Sequence, residues 1–271
     1  MTDIRKYFNS IKIPIKEFKS NKQGYEQFIV HNYIIKKIDK CDLIGESFFL
    51  KEDIGIIFLR NATTFQYGKH LYQLIPYEKD FKYGDYSALK KITNLYTKND
   101  RIVPMMDFQD IKQIYENRLN ESKYALELYD FITNKYISNV SFNKCTKGFF
   151  HGDLHYENIV TKNKKVYLMD FDNACNSYSL LNLTYLYFTS YIWTYVLNKN
   201  NNQRRLASET KKYLISMVKD NDLPYFDYMV YLCMGLYILQ NIDSKDHTLN
   251  DLISKFEKYV LWSKMIDMHK Q

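Results

Sequence analysis

The chain has 271 residues, which exceeds one ordinary domain of roughly 100–200 residues and suffices for two lobes that share a cleft. Hydrophobic residues make up 46% of it, with only 8 Gly and 4 Pro, a composition that argues against disorder and against an all-β fold with many tight turns. The net charge of +7 comes from lysines interleaved with acids, which indicates a solvated, mixed-charge surface rather than a nucleic-acid interface.

The N-terminal third of the chain has the alternating pattern of a sheet, interrupted by a short helix predicted at residues 41–51. This lobe is predicted to span residues 1–76 and to end at Pro76. Its predicted strands follow one another at residues 13–18, 25–30, 33–38, 56–60 and 70–75.

After Pro76 apolar residues recur at helical spacing, first around residues 86–96 and then over residues 107–134. Most segments beyond Tyr178 show the same spacing, and only residues 148–154 and 165–172 are predicted to be extended. We therefore predict an α+β, bilobal protein with a small antiparallel-sheet N-terminal lobe and a larger helical lobe over residues 77–271.

Residues 173–198 contain no charged side chain, so a membrane span has to be weighed. Polar residues such as Asn182 and Thr184 interrupt the run, whereas a spanning helix requires about 20 predominantly apolar residues. A buried core helix is the preferred prediction. Its aromatic residues could instead bind a cationic acceptor through their ring faces, although core packing is favoured for Tyr185, Tyr187, Trp193 and Tyr195.

The cysteines Cys41, Cys145, Cys175 and Cys233 lie far apart and form no C-x-x-C pair, so they are predicted to be reduced and mostly buried. The first ten residues lack the apolar run of a secretory signal, which favours the cytoplasm. The sequence does not indicate an oligomeric state.

The most informative segment is residues 151–172, which begins His-Gly-Asp-Leu-His and ends Asp-Phe-Asp. Transfer of a γ-phosphoryl group requires a carboxylate that orients the acceptor hydroxyl, together with oxygen ligands for magnesium. Asp153 is followed five residues later by Asn158, which is the spacing of a kinase catalytic loop. Asp170 then follows a short strand in Asp-Phe-x form, as a kinase metal ligand does.

This pattern resembles the aminoglycoside phosphotransferase and choline kinase family, which includes kinase-like proteins of bacterial spore coats. The resemblance is dense over about 25 residues, from His151 to the Asp-Phe-Asp block. It implies ATP and Mg²⁺ as cofactors, Asp153 as the catalytic base, and Asn158 and Asp170 as metal ligands. It also implies a small-molecule hydroxyl as the acceptor. Asp172 stands where protein kinases have Gly, and it could assist the metal or the substrate.

The nucleotide site is less well defined by the sequence. Lys36 on the third predicted strand could contact phosphate and pair with Glu46 on the following helix, although Lys37 remains an alternative because only one of two successive strand residues can face the cleft. The backbone around Ile75 and Tyr77 could meet the adenine edge.

Two alternatives remain for this motif. His151 and His155 taken individually could be core or capping residues, whereas a zinc site is disfavoured because the Glu of a zinc-binding helix is missing and Gly152 is a poor helix residue. The chain could also be a non-catalytic kinase-like structural or binding protein of the spore-coat type.

Overall fold

A computed structural model of the chain describes residues 3–17, 27–38, 48–59, 63–77, 82–83, 88–138, 140–155, 158–196, 210–242 and 246–268. The strands are β1 (Ile15–Glu17), β2 (Gln27–Val30), β3 (Tyr33–Ile38), β4 (Phe48–Leu50), β5 (Ile56–Phe58), β6 (Thr63–Tyr67), β7 (His70–Pro76), β8 (Lys82–Tyr83), β9 (Ile102–Pro104), β10 (Lys147–Phe150), β11 (Ile159–Lys162), β12 (Lys165–Leu168) and β13 (Cys175–Tyr178).

The helices are α1 (Asp3–Ser10), α2 (Leu89–Ile92), α3 (Asn94–Thr97), α4 (Ile111–Glu116), α5 (Ala125–Ile132), α6 (Leu180–Val196), α7 (Phe226–Gln240) and α8 (Leu249–Met268). Residues 210–216 are also helical. Short 3-10 turns lie at Asn99–Arg101 and Leu223–Tyr225, and a π-helical turn follows α5 at Thr133–Ile137.

The N-terminal sheet is antiparallel, with strand order β1-β2-β3-β7-β6. Successive strand residues face opposite sides, so Ile35 packs on one face with Phe28, Tyr72 and Ile4 of α1. Ile34 packs on the other face, in a small cluster that includes Met169 from the C-terminal part. Lys36 is two residues beyond Ile34 and shares its face, which directs it toward the C-terminal part of the chain.

The strand predicted over residues 56–60 does not belong to this N-terminal sheet. Within the predicted range, residues 56–58 form β5, but this strand pairs in parallel with β12 in a second sheet of order β5-β12-β11-β8. Ile56 and Phe58 are buried against the C-terminal core while Ile57 is 40% exposed. The alternation along the sequence therefore predicted the strand correctly but did not indicate the strand with which it pairs.

The edge position belongs to β6, a strand that was not among those predicted from the sequence. It pairs with β7 through a two-residue turn at Gly68 and Lys69, and Gly68 has a positive φ of 61°. Gly at the first position of a two-residue turn is a hairpin signal that sequence inspection could have used.

Two predicted helices differ from the structure. Residues 48–50 are strand β4, paired with β9, although the sequence predicted a helix over 41–51; the other positions up to residue 47 lie outside the described residues. The helix predicted over 107–134 is two helices. The first begins after Asp110, whose side chain forms a capping box with Gln113, and it ends at Glu116.

Residues 180–196 of the uncharged segment form α6, which packs against α7 in the centre of the C-terminal core. The side chains of residues 180–189 are all buried, which confirms the predicted core helix for these residues. Across the described part of the chain, no helix is both long and apolar enough to span a bilayer. The thiols of Cys145, Cys175 and Cys233 are buried and unbridged, while Cys41 lies outside the described residues.

Candidate active site

The catalytic-loop motif lies between β10 and the hairpin formed by β11 and β12. Ile159 pairs with Leu168 in this hairpin, and the N–H of Met169 donates to the carbonyl of Asn158 (3.1 Å). Asn158 and Asp170 therefore come to the same end of the hairpin, although they are twelve positions apart in the chain.

The side chain of His151 is fully buried beneath the loop. Its Nε2 lies 3.1 Å from the carbonyl of Met169 and donates to it, and its Nδ1 lies 3.4 Å from the N–H of Asp153. Burial lowers the pKa of His151 to about 4, so the imidazole is neutral and connects the loop to the strand that carries Asp170. These contacts support the core interpretation of His151.

Gly152 allows the turn between His151 and Asp153. Its φ is +81°, and a Cβ atom at this position would lie 1.9 Å from the carbonyl oxygen of Asn173. Its own carbonyl accepts a hydrogen bond from Nε2 of Gln240 (2.8 Å). Only glycine fits this backbone, because both the conformation and the space exclude a side chain.

Asp153 is 5% exposed and is held on several sides. Its Oδ1 lies 3.0 Å from the hydroxyl of Tyr185, and its Oδ2 lies 3.5 Å from Nε2 of His155. Nδ2 of Asn158 donates to the backbone carbonyl of Asp153 (2.8 Å) and lies 3.2 Å from Nε2 of His155. The predicted base and the predicted metal ligand Asn158 thus belong to one hydrogen-bonded loop.

Lys36 reaches this region from the N-terminal sheet. Its side chain is nearly buried, its Nζ lies 3.5 Å from Oδ1 of Asp170, and it also donates to Oδ2 of Asp172. Lys37 has the opposite orientation on β3, and between the two lysines the geometry favours Lys36 for the cleft. The predicted partner Glu46 lies outside the described residues.

Asp170 has a backbone conformation that few non-glycine residues adopt, with φ of 62°. Such conformations cost free energy and are concentrated at functional sites, where the surrounding structure enforces them. Here the strained residue is the one whose carboxylate faces Lys36, and its side chain is 38% exposed.

The predicted adenine contacts lie beside an apolar cluster. Ile75 packs with Ile29 and Ile34, and Tyr77 and Met169 lie against them. The N–H of Tyr77 donates to the carbonyl of Asn32 (2.7 Å), so a base that used this N–H would have to replace that bond. The cluster offers an apolar surface between the N-terminal sheet and the residue that precedes Asp170.

A magnesium ion is compatible with the residues at this site. Both amide hydrogens of Asn158 are directed to Asp153 and His155, and its Oδ1 accepts no hydrogen bond from any described residue. Within the described ranges, no group of three or more His, Cys, Asp or Glu side chains could hold a metal alone. Magnesium commonly uses one or two carboxylates together with substrate phosphates and water, which suits Asp170 with Asn158.

Three further residues support the loop and were not predicted from the sequence. Asn182 on α6 accepts from the N–H of His151 (2.9 Å) and donates to the carbonyl of Phe149 (2.6 Å). Gln240 holds Gly152, and Arg118 donates to the side chain of Asn173. A buried amide in an uncharged helix requires hydrogen-bond partners. Among these three residues, Asn182 is therefore the one whose supporting role the sequence could have indicated.

The sheet, the loop that carries Asp153 and the helical core together define the two-lobed, protein-kinase-like fold. The solved structures with this fold include an amicoumacin kinase, hAmiN, in complex with AMP-PNP, Ca²⁺ and Ami. That structure matches with a TM-score of 0.58 at 11% identity, over 99% of this chain and 94% of the other.

The choline kinase LicA from Streptococcus pneumoniae matches with a TM-score of 0.59 at 13% identity, over 95% of this chain and 96% of the other. The spectinomycin phosphotransferase APH(9)-Ia, in complex with ADP and spectinomycin, matches with a TM-score of 0.51 at 13% identity, over 94% of this chain and 92% of the other.

No protein-family model matches the sequence, and no curated protein matches it significantly. The chain therefore shares its fold with aminoglycoside phosphotransferases and choline kinases, and the predicted bilobal α+β fold is confirmed.

Proposed function

We propose that the protein is a small-molecule kinase that transfers the γ-phosphoryl group of ATP to a hydroxyl acceptor in a magnesium-dependent reaction. The acceptor would belong to the aminoglycosides, the choline-like amino alcohols or a related class. The contact of Lys36 with Asp170 and Asp172 carries this proposal, because it brings a cation from the sheet against the carboxylates of the helical part.

The position of each side chain in the site supports a separate role for it in this reaction. Lys36 would exchange its carboxylate partners for phosphate oxygens, and Asp170 and Asn158 would hold Mg²⁺, which neutralises charge on the phosphates when it is bound. Asp153 would orient the acceptor hydroxyl and accept its proton. The hydroxyl oxygen bonds to the γ-phosphorus as the bond to the β-phosphate oxygen breaks, and ADP leaves.

The first experiment separates an enzyme from a non-catalytic kinase-like protein. The thermal midpoint is measured with ATP alone, with Mg²⁺ alone and with both. A nucleotide at 100 times its dissociation constant stabilises a folded protein by about 2.7 kcal/mol, which raises the midpoint by several degrees. Stabilisation that requires ATP and Mg²⁺ together supports the kinase, and no shift of the midpoint under any of these conditions supports a structural or binding protein.

The second experiment tests the chemistry. ADP release is measured with choline, ethanolamine, aminopropanol and spectinomycin as candidate acceptors, with the wild-type protein and with Asp153→Asn. Loss of the base should reduce turnover by about 10²- to 10⁴-fold and leave MgATP stabilisation largely intact. Full turnover in Asp153→Asn would exclude the proposed role of this carboxylate.

A further inference from the structure

Tyr185 connects the interior of the helical part to the proposed catalytic base. Its ring is fully buried on α6, and its hydroxyl lies 3.0 Å from Oδ1 of Asp153, which is 32 positions earlier in the chain. The same hydroxyl contacts Oε1 of Gln240, the last residue of α7. The pattern that predicted a buried core helix does not indicate these contacts of the Tyr185 hydroxyl.

The orientation of Gln240 settles which atoms face the hydroxyl. Nε2 of Gln240 lies 2.8 Å from the carbonyl oxygen of Gly152, which can only accept a hydrogen bond. The amide oxygen must therefore point toward Tyr185. The single hydroxyl hydrogen of Tyr185 thus lies between two acceptors, the carboxylate of Asp153 and the amide oxygen of Gln240.

Burial raises the pKa of Tyr185 well above its usual value, with Asp153 as the next cause, so the hydroxyl retains its proton. A carboxylate is a stronger acceptor than an amide oxygen, because its hydrogen bonds are charge-assisted. Tyr185 therefore donates to Oδ1 while Asp153 is ionised. The amide of Gln240 offers the hydrogen a second position when Asp153 carries a proton and its charge is gone.

On this basis we propose that Tyr185 is a positioning residue for phosphoryl transfer, which holds Oδ1 of Asp153 and directs the acceptor's proton to Oδ2. The inference rests on the proposed kinase function and adds to it. It assigns different roles to the two oxygens of the base: one is fixed by α6, and the other faces His155 and receives the proton. Gln240 completes the arrangement by joining Tyr185 to the Gly152 carbonyl.

The other groups around this contact are compatible with that assignment. His151 is neutral, and Arg118 lies close enough to favour negative charge near Tyr185. The thiol of Cys233 on α7 also acts on Tyr185, but burial raises its pKa to about 12, so it is uncharged. Tyr185 is thus the neutral donor that meets Oδ1 from the helical core.

Tyr185→Phe is the direct test, because it removes one oxygen and keeps the ring. Tyr115→Phe is the matched control. Tyr115 is also fully buried, and its hydroxyl donates to the backbone carbonyl of Leu232 on α7 (2.7 Å), so both variants lose one buried hydrogen bond. ADP release is measured with MgATP and whichever of choline, ethanolamine, aminopropanol and spectinomycin the wild-type protein uses fastest.

We expect Tyr185→Phe to lower kcat by about 10- to 100-fold, because small displacements of a reacting group have effects of this size. The KM values for the acceptor and for MgATP should stay within about twofold, since neither is bound by Oδ1. Tyr115→Phe should lower the thermal midpoint by a similar amount and retain kcat.

If the wild-type protein is active and Tyr185→Phe has the same kcat, the positioning role is overturned and the kinase proposal stays intact. An equal loss of kcat in Tyr115→Phe also overturns it, because the effect would then reflect general destabilisation. A wild-type protein that is not stabilised by MgATP and releases no ADP with any of these acceptors overturns the kinase proposal and this inference together.

Discussion

The ammonium group of Lys36 lies 3.5 Å from Oδ1 of Asp170, although 134 positions separate the two residues in the chain. The same group donates to Asp172, so one buried cation joins strand β3 to the Asp-Phe-Asp block after β12. Bound phosphate would compete with these carboxylates for Lys36, and a metal bound by Asp170 would reduce their hold on it. The contact therefore describes a resting arrangement from which nucleotide binding would start.

Replacement of Lys36 should impair catalysis much more than replacement of its neighbour. Lys36→Met removes the proposed donor to the phosphates and is expected to lower kcat/KM by about 10²- to 10³-fold, the usual cost of losing such a group. Lys37→Met changes the net charge equally but lies on the opposite face of β3, so its kcat/KM should change by less than about threefold. Steady-state ADP release at several ATP concentrations measures both.

Equal losses in the two variants would show that overall charge, and not the position of the ammonium group, supports activity. That result would contradict the proposed contact of Lys36 with phosphate.

The arrangement of the proposed catalytic loop was predictable because its signal is local. Asp153, Asn158 and Asp170 fall within 18 residues, and the intervening hairpin brings the last two together by its register alone. Short spacings of this kind require no knowledge of tertiary structure.

Contacts over longer distances were not predictable in this way. The pairing of β5 with β12 and the bond from Gln240 to Gly152 join residues about a hundred positions apart, and local alternation carries no information about such partners. Strand β6 was not predicted from its sequence, although Phe65 and Tyr67 alternate along it and pack against the cluster that contains Tyr72.

Gly152 should be among the least replaceable residues of the loop. In Gly152→Ala the new methyl group would collide with the Asn173 carbonyl, and the residue would keep a positive φ, so the free energy of unfolding should fall by about 2–5 kcal/mol. Gly68→Ala is the control, because Gly68 also has a positive φ but no atom lies within 4 Å of the added Cβ. Its cost should be about 1–2 kcal/mol.

Urea denaturation of both glycine variants measures these differences. If Gly68→Ala proved as damaging as Gly152→Ala, the backbone conformation alone would account for the effect, and the close approach of Asn173 would have no separate role.

Asn182 should contribute to stability through the loop it supports. Asn182→Ala leaves the His151 N–H and the Phe149 carbonyl without their side-chain partner in a buried site, so we expect a loss of about 2–5 kcal/mol. Thr184→Val on the same helix is the control. The Thr184 hydroxyl bonds mainly to carbonyls of its own helix, and its removal should cost less than about 1 kcal/mol. Similar losses in both variants would contradict the anchoring role of Asn182.

His151 should make the protein sensitive to mild acid. The folded protein keeps this imidazole neutral down to about pH 4, whereas in the unfolded chain it takes up a proton near pH 6.5. Between these values the unfolded state binds more protons, so the free energy of unfolding falls as the pH is lowered. At about 1.4 kcal/mol per pH unit, the loss attributable to His151 approaches 3 kcal/mol at pH 4.

Urea denaturation between pH 7.5 and pH 4 should reveal this dependence. His151→Gln removes the titrating group, so the variant should be less stable at pH 7.5 yet lose less stability on acidification than the wild-type protein. Carboxylates titrate in both proteins, so the difference between the slopes reports the effect of His151 and of its interactions with Asp153 and Asp170. Parallel curves would mean that the buried imidazole is not the group whose protonation opposes folding.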